Sequence, residues 1–328
     1  MLNIEYSVII RTLGKANEKY QKLLDSIANL NPKPKEVIVV LPRGYDYPKQ
    51  QLGWESFYFS EKGMVAQRTF GISVCKTKYA FICDDDVNFE SDFIEKLHEP
   101  LAVGLGSISV APLYDFLPEK GIKSIVSALT GGAIPTFFHK ENYCSVLRST
   151  GYSYNRNLRK EKKYYTTQSA AGTCFYAIIE DLKSIHFELE SWIDKNGYSS
   201  MEDQVMFYKA FLMGYKTVVV ANAYYVHADA RTSTRSNHLT PRYCEAFNRT
   251  IFWQRFIYSN EKNTLGRVLA KLCFSYKKMA SLLYVSLSFR IKHSDKQEYI
   301  ATKLGFKDAK TYVNSSEYHS LHNYTVKV

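Results

Sequence analysis

Tyr79-Ala-Phe-Ile-Cys-Asp-Asp-Asp-Val87 (YAFICDDDV) is the most informative stretch of the chain. Its first five residues are apolar in an unbroken run, the pattern of a strand covered on both faces. The run ends directly on Asp84, Asp85 and Asp86. Adjacent carboxylates repel one another unless something cationic sits among them. In open α/β sheets, ligands bind at the carboxyl ends of the strands. Alternate side chains of an extended segment point the same way, so Asp84 and Asp86 share a face. Two hard oxygen ligands with open positions suit Mg²⁺ or Mn²⁺ held jointly with a substrate diphosphate. The plainer reading is a solvated acidic turn, in which these side chains and Asn88 bond nearby backbone amides.

Upstream, Tyr6–Arg11 (YSVIIR) and Glu36–Leu41 (EVIVVL) read as two more buried strands. Between them Tyr20, Leu23, Leu24, Ile27 and Leu30 recur at helical spacing, with Asn17 placed to cap and Pro32 and Pro34 beyond the end. Strand, helix and strand in about 35 residues argue for a parallel sheet with a right-handed crossover. Ser56–Phe59 reads as a short strand, Met64–Val74 as a helix, Asp92–Leu101 as a helix and Ser107–Leu113 as a strand. From 114 to 168 the periodicity weakens. It returns at Gly172–Ile179 (strand), Gln204–Met213 (helix) and Lys216–Ala221 (strand). Leu265–Lys292 is the longest helical pattern.

Two further features carry chemistry. Glu202 and Asp203 follow a Gly-containing turn and open an apolar helix; acids there also simply complement the helix dipole. Val226-His227 follows the strand KTVVVA, a place where a histidine is either a ligand or a structural group.

In this order the three features resemble the family 2 glycosyltransferases. YSVIIRTLGK is similar to that family's first strand and nucleotide-binding turn. Lys62–Gly71 (KGMVAQRTFG) resembles its Gly-x-x-x-Ala-Arg-Asn-x-Gly helix, with Arg68 at the Arg and Thr69 where Asn is usual. Asp84-Asp85-Asp86 matches its Asp-x-Asp motif, Ala171-Gly172-Thr173 its Gly-rich strand beside the acceptor, and Glu202-Asp203 its Glu-Asp motif. The resemblance covers residues 4 to 230 and implies a GT-A fold: a Rossmann-like open mixed sheet with helices on both faces. It implies a donor-binding part over 1–113, an acceptor-side part over 114–240, and a mostly helical extension over 241–328.

The implied activity is inverting, non-processive, metal-dependent transfer of a sugar from a nucleotide-diphosphate donor to a saccharide or lipid-linked saccharide. Asp203 is the implied catalytic base, with Glu202 beside it. Asp86, Asp84 and His227 are the implied ligands of a divalent metal, Mn²⁺ or Mg²⁺. Arg11, Thr12, Arg68, Asp84, Asp85, Arg231 and Arg235 fall on the donor side. Gly172 and Thr173 fall on the acceptor side. Sugar rings stack on aromatic side chains, for which Trp192, Tyr152, Tyr154, Tyr164 and Tyr165 are candidates; the other reading of each is ordinary core or surface packing. The chain departs from the family at Leu41-Pro42-Arg43, where an Asp that meets the nucleotide base is common, so the base stays open.

Composition and charge bound the class without choosing within it. The chain has 328 residues, 45% of them apolar, and a net charge of +11. A chain of this size buries a core without disulfides. Six cysteines without a Cys-x-x-Cys pair point to a reducing, cytoplasmic compartment and no zinc site. The N-terminal MLNIEYSVII lacks the pattern of a signal peptide. A basic nucleic-acid-binding module would explain the charge but not three carboxylates at a sheet edge. A sugar-phosphate nucleotidylyltransferase would carry a Gly-rich loop after the first strand, whereas RTLGKAN holds one Gly. In the C-terminal helix, apolar residues from Leu265 to Leu287 form one stripe, with Arg267, Lys271, Lys277, Lys278, Arg290 and Lys292 around it. Such a helix either packs on the core or lies on an anionic membrane, which would place the protein at the inner face of the cell membrane.

Overall fold

The computed structural model describes residues 4–113, 142–154, 162–228, 239–292 and 296–328. Its centre is an eight-stranded mixed sheet in the order β3-β2-β1-β4-β10-β6-β11-β9. The strands are β1 (Tyr6–Arg11), β2 (Glu36–Pro42), β3 (Ser56–Ser60), β4 (Tyr79–Asp84), β6 (Ile108–Val110), β9 (Tyr164–Thr167), β10 (Cys174–Ile178) and β11 (Thr217–Val220). β3, β2, β1 and β4 run parallel, while β10 is antiparallel to both β4 and β6. Two small ribbons stand apart, β5 (Val87–Phe89) with β12 (Tyr225–His227) and β7 (Ser145–Val146) with β8 (Ser153–Tyr154).

Every residue of β1 is buried, and β2 and β4 are buried along their middles. Helix α1 (Glu18–Asn29) covers one face through Tyr20, Leu23, Leu24 and Ile27. Each such aliphatic or aromatic burial stabilises by roughly 1.5–3 kcal/mol. Asn17 stands at the start of α1 but does not cap it. Its φ of 51° lies in the left-handed region, and its amide donates to the Lys15 carbonyl instead. The other face carries α2 (Met64–Val74), α4 (Ile179–Ser184) and α5 (Glu202–Leu212); α3 (Phe93–Ala102) packs beside β6 and β10.

Beyond the sheet the chain is helical: α6 (Leu239–Phe252), a wide helical turn over Trp253–Tyr258, α7 (Thr264–Lys292), α8 (Lys296–Val313) and the short α9 (Ser316–His319). Phe247, Ile251, Phe252 and Phe256 share one core with Met206 and Phe207 of α5. The buried carboxylate of Glu190 joins the two regions, bonding Arg255, Lys209 and the Trp192 indole. The C-terminal segment returns to α5, where the Lys327 amide donates to the Leu212 carbonyl.

α8 lies against α6 at Gly305. A Cβ there would stand 2.3 Å from the Tyr243 carbonyl oxygen and 3.0 Å from the Ala246 Cβ. Backbone cannot yield as a flexible side chain can. Gly305→Val should therefore cost about 3 kcal/mol or more and appear as a lowered melting temperature. A melting curve matching wild type would show that the two helices are not held at this separation.

Candidate active site

The sheet brings the sequence features together at one edge. β1 and β4 are parallel and in register, so Arg11 stands beside Asp84 at their carboxyl ends. The Arg11 guanidinium pairs with Asp84 at 2.6 Å. The next carboxylate turns away: the Thr12 hydroxyl donates to Asp85 at 2.5 Å and accepts from the Gly14 amide. Asp86 turns back, as the alternation of an extended segment requires. β12 pairs with β5 and places His227 opposite Val87. His227 Nε2 then lies 3.3 Å from an Asp86 oxygen.

Ligand atoms of Asp84, Asp86 and His227 all lie within 4.8 Å of one another. Two carboxylates and one imidazole form a donor set that suits Mn²⁺ or Mg²⁺ with positions left for substrate oxygens. The group is only partly enclosed, which leaves an approach for a ligand. Burial pushes the Asp84 carboxyl above its ordinary range, with Arg11 and Arg68 opposing. Burial also pushes Asp85 up to about 7 against the pull of its Thr12 hydrogen bond. Clustered, desolvated carboxylates of this kind are relieved by a cation.

The second acidic pair approaches from the other side. Antiparallel pairing of β10 with β4 sets Cys174 opposite Cys83 and lets the Asp84 amide donate to the Thr173 carbonyl at 2.8 Å. The Thr173 hydroxyl meets the Tyr225 hydroxyl at 2.7 Å, so β4, β10 and β12 are tied at one point. Gly172 fills the remaining gap. A Cβ on it would stand 2.8 Å from the Asp203 Cβ and 3.3 Å from an Arg68 nitrogen. The Gly-rich stretch is thus what allows Asp203 to come this close to the sheet edge.

Met201, at φ 67°, makes a tight turn before α5 and separates the roles of the two acids that follow. Glu202 is 3% exposed and ion-paired with fully buried Arg68. Arg68 also donates to the Gly172 carbonyl at 2.8 Å. Burial lowers the Arg68 guanidinium to about 9, with Arg11 adding to the effect and Asp84 and Asp203 opposing it. Asp203 is half-buried and accepts only the Gln204 amide through one oxygen among the bonds described.

Several expectations need correction. Glu202 is too enclosed, and too firmly held by Arg68, to meet a substrate hydroxyl. Arg68 is spent on Glu202 and Gly172 rather than presented to a nucleotide phosphate. Trp192 is 2% exposed and hydrogen-bonded to Glu190, so it cannot stack on a sugar. For two of the tyrosines the packing alternative holds: Tyr165 is in the core, and Tyr152 lies beneath the Arg249 guanidinium, 4.1 Å from its centre. These rings serve packing because an aromatic-rich core of this size consumes them. Tyr164 is half-buried beside Lys163. Arg231 and Arg235 lie outside the described residues, as does most of the weakly patterned stretch after 113.

Asp194 was not among the sequence candidates. Its carboxylate accepts from the amides of Met64, Val65 and Ala66 at the start of α2 and from the Ser199 hydroxyl. An acid on a helix N-terminus satisfies otherwise orphaned donors. No local pattern announces it, because the acid and the helix are about 130 residues apart.

No protein-family model and no curated protein matches this chain. Among solved structures it is similar to residues 1–349 of TarS from S. aureus, at 15% identity over 93% of this chain and 81% of that one, with a TM-score of 0.49. It is also similar to GalNAc-T7, solved with UDP, GalNAc and Mn²⁺, at 13% identity over 84% of this chain and 55% of that one, with a TM-score of 0.51. The chain thus spans about half the length of GalNAc-T7. The mixed eight-stranded sheet, its strand order and the second of these likenesses show that the protein has the GT-A fold, extended at its C-terminus by helices.

Proposed function

We propose that the protein is an inverting glycosyltransferase that moves a sugar from a nucleotide-diphosphate donor to a saccharide acceptor, with a divalent metal. One observation carries this reading: Asp84, Asp86 and His227 converge at the carboxyl edge of the sheet, with Asp203 brought toward the same edge across Gly172. Asp84, Asp86 and His227 would hold the metal, which when bound supplies Lewis-acid neutralisation of the leaving diphosphate. GalNAc-T7 with its UDP and Mn²⁺ supports the same choice of donor and ion.

The chain's own residues do the rest. Arg11 fixes one face of Asp84, and Thr12 holds Asp85 aside, so the carboxylates cannot collapse onto one another. Asp203 takes the proton from the acceptor hydroxyl as general base. The acceptor oxygen bonds to the anomeric carbon as the bond from that carbon to the diphosphate oxygen breaks, and the electron pair leaves with the diphosphate. Attack opposite the leaving group inverts the centre. The Arg68–Glu202 pair positions Asp203 by fixing the first turn of α5.

The test is nucleotide-sugar binding with and without Mn²⁺, read by calorimetry. Asp86→Ala should weaken Mn²⁺-dependent nucleotide binding by about tenfold or more, with an unchanged melting curve in the absence of metal. Unchanged affinity in the variant would remove Asp86 from a metal site. Absence of any nucleotide binding by wild type would sink the reading as a whole.

A further inference from the structure

Helix α7 is docked with its apolar stripe outward. Its contacts with the rest of the protein run through Ala270, Phe274, Lys277 and Val285, all buried. Phe274 stacks on Trp253 with ring centres 4.4 Å apart, and Lys277 lies over the Tyr152 ring. At about 100° per residue these positions share one side of the helix. The opposite side carries Leu265, Val268, Leu272, Met279, Leu283 and Leu287, between 43% and 74% exposed. They fall in an arc of about 100°. A monomeric soluble protein rarely leaves so continuous an apolar surface in water.

The surroundings of the stripe are basic. From Thr264 to Lys292 the helix holds no Asp or Glu. Lys271 is exposed on its flank over the Tyr258 ring, and Lys262 precedes it, while exposed Arg267 lies toward the docked side and donates to the Glu261 carbonyl. Across a shallow groove of about 540 Å³, Met279 and Leu283 of α7 face Tyr299 of α8. Lys303 and Lys307 follow Tyr299 at four and eight residues, so they stand along the same stripe of α8, and both are exposed. Exposed Ile300 and Leu304 extend the apolar surface beside them.

We propose that α7 and the adjoining side of α8 seat the protein on an anionic lipid bilayer. The apolar stripe would enter the acyl boundary while the long basic side chains reach headgroup phosphates. Charge decides between this occupant and a second copy of the chain. Two chains of net charge +11 would bring like-charged rims together, whereas an anionic surface complements them. Among the described residues no helix is long and apolar enough to cross a membrane, so the helix lies on the surface rather than spanning it. This inference does not depend on the glycosyl-transfer reading.

The experiment uses the full chain, sedimented with vesicles of phosphatidylcholine alone or mixed with phosphatidylglycerol. Wild type should partition onto the anionic vesicles at least about tenfold more strongly than onto neutral ones. About 0.5 M NaCl should weaken that binding without abolishing it, because salt screens the charges but not the apolar burial. Leu272→Glu with Leu283→Glu should reduce partitioning at least about tenfold. Both side chains are more than half exposed, so the variant should melt as wild type does. Equal binding to neutral and anionic vesicles would overturn the proposal, and so would undiminished binding of the double variant. A wild-type dimer that ignores vesicles and becomes monomeric on the same substitutions would assign the face to a second copy instead.

Discussion

Asp203→Asn should lower turnover by about 10²- to 10⁴-fold, while donor affinity stays within a few-fold of wild type. The amide keeps the shape of the carboxylate but cannot take up the acceptor's proton. Asp203 is half-buried at the first turn of α5 and accepts the Gln204 amide through one oxygen, a bond that Asn keeps through its carbonyl. The fold should therefore be unaffected, and a melting curve run beside the kinetics would show it. Turnover near the wild-type rate in a folded variant would mean that a different group accepts the proton.

The neighbouring acid should behave in the opposite way. Glu202→Ala is expected to cost about 3–5 kcal/mol of stability, the cost of leaving a buried charge without its partner. Glu202 is 3% exposed and Arg68 is fully buried, so water cannot replace the lost pairing. Melting should drop on the order of 10 °C. Replacing both partners with apolar residues, Arg68→Met with Glu202→Leu, should recover much of the loss, since it removes the stranded guanidinium. If the pair also positions Asp203, that restored protein should still turn over slowly, with the maximal rate lowered more than donor affinity. A single variant that melts within about 2 °C of wild type would show that the pair is not closed in solution.

Much of the candidate site was legible in the residues. Tyr79–Cys83 is an apolar run with no alternation, so it had to be buried on both faces, and the acids after it had to lie at a strand end. The two-residue period of extended chain then predicted that Asp84 and Asp86 share a face, and their ligand atoms do converge; Asp85, expected on the donor side, is instead buried and held by the Thr12 hydroxyl. The helix Met64–Val74 and the long C-terminal helix were readable because their periodicity is local. The short ribbons β5–β12 and β7–β8 were not readable, since two or three residues carry no period.

What lay beyond local pattern was partnership. Glu202 and Asp203 are adjacent acids with the same helix-start signature, and nothing in their order says which one is spent on a cation. That depends on Arg68, 134 residues away in the chain, and on whether water reaches the pair. The same limit explains Trp192, whose indole looked available for a sugar until Glu190 and the core closed over it, and Asp194, whose helix lies far upstream. It also explains α7. Its apolar stripe is plain in the sequence, but a stripe alone does not state which side faces the protein. The amino-acid order determined the sheet, the strand-end carboxylates and the amphipathic helix, because these follow from periodicities of two and 3.6 residues. Only the tertiary structure decided which charge meets which and which apolar face the chain leaves uncovered, because those outcomes are set by contacts between segments far apart in the chain.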